Sequence, residues 1–142
     1  MSKKPRRRGG SPPKSLTSGK RDALKRRQSD APQAQGTVVW LRWDYVEGGG
    51  RGGEHPALVL SANEFNEASG FGILALISTQ FSTPPDTGEY QITNLRTAGL
   101  SEASAVVPVI QSAAWFRMNK IGELSPYEFK SAVTRLREVM PI

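Results

Sequence analysis

The stretch PALVLSANEFNEASGFGILALIS, residues 56–78, decides the fold. Its ends, PALVLS (56–61) and FGILALIS (71–78), are short, continuously apolar runs, the pattern of central, buried strands. Between them NEFNEASG reads as one or two helical turns, with Asn63 as a cap and Gly70 as the stop. Working outward, TVVWLRW (37–43) is β-branched and aromatic, a good first strand. Residues 44–55, DYVEGGGRGGEH, read as a long loop with five glycines in the eight positions 47–54, the composition of a lid. That run is no phosphate-binding fingerprint, because it lacks both the Lys-Ser/Thr pair and the helix that should follow.

On the other side, GEYQIT (88–93) alternates like a fourth strand and ASAVVPVI (103–110) is a fifth. Pro108 cannot donate to a ladder, so it predicts an edge or a bulge. MNKIGELS (118–125) reads as a last short strand. SPYEFKSAVTRLREVM (125–140) is the clearest helix, with Ser125 as N-cap, Pro126 in the first turn and Glu128 completing a capping box. Phe129, Val133, Leu136 and Met140 form its apolar stripe. The predicted class is mostly β with α: a small barrel or half-barrel of about five to six strands, with a C-terminal helix packed on it.

The 142 residues suffice for one domain. Zero cysteines exclude disulfides and thiolate metal sites and fit a reducing cytoplasm. A single histidine, His55, argues against a structural zinc site. No run approaches the ~20 apolar residues of a membrane span, and the basic N-terminus lacks the apolar core of a secretory signal. The net charge of +6 divides unevenly. Residues 1–35 hold 11 Lys or Arg against 2 Asp or Glu, a net +9, whereas residues 36–142 hold 8 against 11, a net −3. Residues 1–35 are poor in apolar side chains and read as a disordered tail, with a short helix over 20–28 forming on a partner. Such an arm suits RNA or DNA phosphates, or serves only as a solubilising leader.

The ordered set formed by the Val-Val-Trp strand, the glycine loop, HPALVLSANEFNEASG, ILALISTQ, SAAW and IGELSP plus helix resembles the MazF/PemK toxin family. The resemblance covers about residues 36–140. It implies a compact SH3-like, CcdB-type barrel, usually a homodimer, that cleaves single-stranded RNA without a metal ion or other cofactor. It also implies a cognate antitoxin segment that blocks the site. The family places an arginine directly before the Pro-Ala strand and a threonine in the loop after the third strand. Here those positions are His55 and, best aligned, Ser78, with Thr79 next to it. PVIQ stands where the family has an acidic-Gln-Val segment.

Metal-free RNA cleavage uses the ribose 2′-hydroxyl as nucleophile and needs a base, an acid and groups that hold the charge developing on phosphate. An imidazole can take and give protons near neutral pH, so His55 suits the base or acid step. Arginine stays protonated and suits charge stabilisation, a part Arg51 could supply from the loop. Ser78 and Thr79 can donate hydroxyl hydrogen bonds to phosphate, and Gln80 can hold phosphate or read a base edge. Trp43, Tyr45, Trp115 and Phe116 are candidates for stacking on splayed bases, and Arg117 for binding the RNA backbone. Trp40 and Trp43 face opposite ways on a regular strand, so one of them belongs to the core. His55 reads equally as a polar residue where a loop meets a strand. The alternative function is a degenerate module of the same fold that binds nucleic acid or a protein target without cleavage.

Overall fold

The computed structural model describes residues 31–43 and 53–142 throughout, and the backbone of residues 45–46 and 50–51. The predicted 20–28 helix, most of the tail, and residues 47–49 and 52 of the glycine loop lie outside the described residues. Six antiparallel strands form one sheet, curved as a half-barrel, in the order β6-β7-β5-β4-β1-β8. They are β1 (Thr37–Arg42), β4 (Glu54–Val59), β5 (Phe71–Ser78), β6 (Tyr90–Gln91), β7 (Ala105–Ala114) and β8 (Met118–Glu123). The base of the glycine loop is a small ribbon of β2 (Tyr45–Val46) on β3 (Gly50–Arg51). Helix α1 (Asn63–Ser69) joins β4 to β5, α2 (Leu95–Ala98) follows β6, and α3 (Pro126–Leu136) closes the domain.

The two apolar runs are central strands, and both of their faces are buried. One core takes Val39, Leu41, Ala57, Val59, Leu74 and Leu76, packed with Trp43, Trp115 and Met118. The other takes Val38, Leu58, Ala75 and Ile77, packed with Leu124, Ala132 and Leu136 at the C-terminal helix. Alternation along a strand sends successive side chains to opposite faces, so an unbroken apolar run feeds two cores at once.

Several expectations are sharpened. The fifth strand is ten residues long, and Pro108 sits within it where the β5 register shifts between Ala75 and Ile77. β6 pairs with β7 only at Tyr90↔Val106 and Gln91↔Ala105, so Pro108 is both at a bulge and beyond the cover of the edge strand. The GEYQIT strand shrinks to two residues. The N-cap of α1 is Ala62, not Asn63, whose Oδ1 instead accepts from the Gln35 N–H at 2.8 Å. The Asn66 side chain donates to the Gln33 carbonyl, so the last residues of the predicted tail are held on the body.

The capping box is half built. Ser125 Oγ accepts from the Glu128 N–H at 3.1 Å, as expected. The Glu128 carboxylate, however, accepts from the Tyr90 hydroxyl at 2.6 Å and from the backbone N–H groups of Thr93 and Asn94 at 2.8 and 3.1 Å. A buried carboxylate is tolerable only when its lone pairs are filled, and the β6–α2 corner offers three donors at one point. Burial alone pushes Glu128 up, but the Tyr90 hydroxyl and the two amides outweigh it and hold the acid below its ordinary value. Burial, and then the adjacent carboxylate, raise Tyr90 above its ordinary 10.0.

Trp115 sits on Gly72. A Cβ at Gly72 would lie 2.3 Å from the indole, so only glycine lets β5 pass beneath the ring. The Trp115 Nε1–H donates to the Asn66 carbonyl at 2.9 Å, which ties α1 to the turn after β7. Gly72→Ala should therefore lower unfolding free energy by about 1–3 kcal/mol through overpacking, measured by urea denaturation. Glu128 contributes stability that is complete above the ordinary carboxylate range and is lost as pH falls through its lowered value. Glu128→Gln should flatten the acid limb of a stability–pH profile followed by thermal melting.

Candidate functional site

One cleft, about 460 Å³ in volume, opens at the ends of β4 and β5. Strand register builds it. Leu41 pairs with His55 and Arg42 with Glu54 across β1 and β4. Ala57 pairs with Leu76 across β4 and β5, and the same register carried two residues further sets His55 level with Ser78. His55, Ser78, Thr79 and Gln80 all line the cleft, so residues far apart in sequence meet there. His55 and Ser78 are half-buried, while Thr79 and Gln80 are exposed. Ser78 Oγ accepts from the Gln80 N–H at 3.0 Å, which shapes the turn after β5 and leaves the hydroxyl proton to donate elsewhere.

A second wall is the segment Leu100, Ser101, Glu102 and Ser104. Its anchor is a close backbone approach. Gly99 has φ +78° and a Cβ there would lie 2.0 Å from the Ile121 carbonyl oxygen, so α2 ends pressed against β8. The Glu128 carboxylate holds the N-terminal side of this segment at Thr93 and Asn94. The Ser78–Gln80 wall runs on into a loop that Arg135 holds. Its guanidinium donates to the carbonyls of Glu89 and Asp86, each at 2.7 Å. Both walls are thus fastened to the C-terminal helix.

Among the cleft residues that a reading of the sequence alone does not single out are Trp40, Glu54 and Glu102. Trp40 is 37 % exposed, and its Nε1–H donates to Glu54 Oε1 at 2.8 Å, which fixes the ring at the rim. Of the tryptophan pair on β1, Trp43 is the core residue, at 0 % exposure. Trp115 is buried too, and neither ring offers a face to a base, so both stacking assignments are corrected to core roles. Residues 39, 41 and 43 alternate inward, which turns Trp40 outward and Trp43 inward. Phe116 is exposed, but Phe116 and Arg117 lie in the turn after β7 and neither lines the cleft; Arg117 donates to the Arg42 carbonyl at 3.1 Å. The side chains of Arg51 and Tyr45 lie outside the described residues. Among the described lining residues there is no Lys or Arg, and two carboxylates, Glu54 and Glu102, share the cleft with His55.

A family model described as PemK-like, MazF-like toxin of type II toxin-antitoxin system matches residues 34–140. The chain belongs to that family. Solved MazF structures share the half-barrel. MazF from Deinococcus radiodurans superposes with a TM-score of 0.63 at 22 % identity, covering 79 % of this chain and 99 % of that one. The MazE–MazF complex from the same organism gives 0.62 at 18 %, covering 79 % and 98 %. An endoribonuclease in complex with its cognate antitoxin, from a mycobacterial species, gives 0.60 at 14 %, covering 78 % and 96 %. At such identities the likeness speaks for the MazF fold alone. No curated protein matches the chain. No helix among the described residues is long and apolar enough to cross a membrane.

Arg135→Ala should unfasten the loop that continues the Ser78–Gln80 wall and cost roughly 1.5–3 kcal/mol, since its donors are charged. Chemical denaturation of the two proteins side by side measures this, and an unchanged midpoint would contradict the clamp.

Proposed function

We propose that this PemK/MazF-family toxin is an endoribonuclease that cuts single-stranded RNA by attack of a ribose 2′-hydroxyl, without a metal ion. The observation that carries the reading is the meeting of His55 with Ser78, Thr79 and Gln80 in one cleft. His55 takes the 2′-hydroxyl proton or returns one to the leaving 5′-oxygen. Ser78 and Thr79 donate to the phosphate oxygens, and Gln80 adds an amide beside them. Arg51, in β3 of the glycine loop, supplies positive charge. The fold-level likeness to toxins solved with their antitoxins supports a cognate antitoxin for this chain, and the family resemblance supports a homodimer in the cytoplasm. The +9 tail gives the mildly acidic domain an electrostatic arm for RNA.

A second reading has its own observation. The cleft carries two carboxylates and no described Lys or Arg, which weakens its hold on phosphate and favours a module that binds without cutting. Incubation of the full chain with a long single-stranded RNA and a chelator separates the two. Cleavage should occur, and His55→Ala should slow it by at least about a hundredfold. RNA that is bound yet stays intact would instead establish the binding module.

A further inference from the structure

We infer that the cleft selects guanine, with the base stacked on the exposed face of Trp40 and its Watson–Crick edge on the Glu102 carboxylate. The inference rests on the RNA reading and names what that site reads. Trp40 is the one tryptophan that is not buried, and it arrives already oriented, because Glu54 accepts from its indole N–H. A ring held in one pose stacks on a base without first losing its own freedom.

The second group is Glu102. By alternation along β1, Trp40 lies on the same face of the sheet as Val38, the face that Leu100 also packs against. Trp40 and the 100–104 segment thus line the cleft together and Leu100 packs on that side of the sheet, whereas His55 and Ser78 alternate with Ala57 and Leu76 toward the other core. Base and phosphate have separate places. Glu54 is occupied by the indole, but the Glu102 carboxylate has no hydrogen bond to any described residue. An ionised carboxylate only accepts, and it has two oxygens side by side. Guanine alone among the RNA bases presents two adjacent donors, N1–H and the N2 amino group, that match both oxygens. Uracil offers one donor between two carbonyls, which repel the carboxylate. Adenine and cytosine each offer one amino group beside an acceptor.

The test uses the full chain and short, labelled, uridine-rich RNAs with one central guanosine, inosine, adenosine or uridine. A 2′-deoxy sugar at the central and neighbouring nucleotides prevents cleavage, and fluorescence anisotropy reads the affinity. Guanosine should bind at least about tenfold tighter than adenosine or uridine, with inosine weaker by about tenfold for want of the amino group. Glu102→Gln should erase the gap between guanosine and inosine while leaving the melting temperature unchanged. Trp40→Ala should weaken every RNA by roughly tenfold, and Trp40→Phe should restore most of it. Equal affinity for all four RNAs, or a guanine preference that survives Glu102→Gln, would overturn the inference and leave the endoribonuclease reading standing. Failure to bind any of them, together with failure to cleave a long RNA, would overturn both.

Discussion

A strand buried on both faces needs a cover on each side, and β4 and β5 impose that requirement on the whole chain. Leu74 and Leu76 face one core while Ala75 and Ile77 face the other. The tryptophans fill the first, with Trp43 and Trp115 wholly within it. The C-terminal helix supplies the cover of the second through Ala132 and Leu136. Without that helix the second set of apolar side chains would meet water, so α3 is an integral layer of the domain rather than an appendage.

The same helix also fixes the cleft. Glu128 gathers Tyr90, Thr93 and Asn94 on one carboxylate, and Arg135 gathers the carbonyls of Asp86 and Glu89 on one guanidinium. These charged contacts sit at the roots of the two segments that form the cleft walls. The strand ends supply the remaining groups through register, which a one-residue slip would scatter to opposite faces. Position in the cleft is therefore set by hydrogen bonding at two places on α3 and by pairing at the ends of β1, β4 and β5.

Much of this was legible in residue order. The apolar runs at 56–61 and 71–78, the β-branched start at 37 and the Ser125–Pro126 helix entry each carry a local signal, and each element is present. The consequence of Pro108 was legible as well, since a missing N–H can only be placed at an edge or a bulge. What failed depends on distant partners. Glu128 has the spacing of a capping box, but a buried corner with three donors competes better than the N-cap amide. Helix α2 is only four residues long, too short to leave a period. Trp43 and Trp115 resemble stacking residues until their burial is known, and Trp40 and Glu102 come to line one cleft only through the sheet and the Gly99 turn.

The family resemblance and the structure meet at His55. The fold is that of the MazF toxins, and where the resemblance implies an arginine before the Pro-Ala strand this chain has an imidazole, in a cleft that also holds two carboxylates. A guanidinium only holds charge, whereas an imidazole can also move protons. The most direct measurement is the chemistry of the cut ends, read by mass spectrometry of RNA incubated with the full chain in the presence of a chelator. Attack by the 2′-hydroxyl predicts 2′,3′-cyclic phosphate or 3′-phosphate ends facing 5′-hydroxyls. Ends bearing 3′-hydroxyl and 5′-phosphate, or RNA left intact, would contradict it.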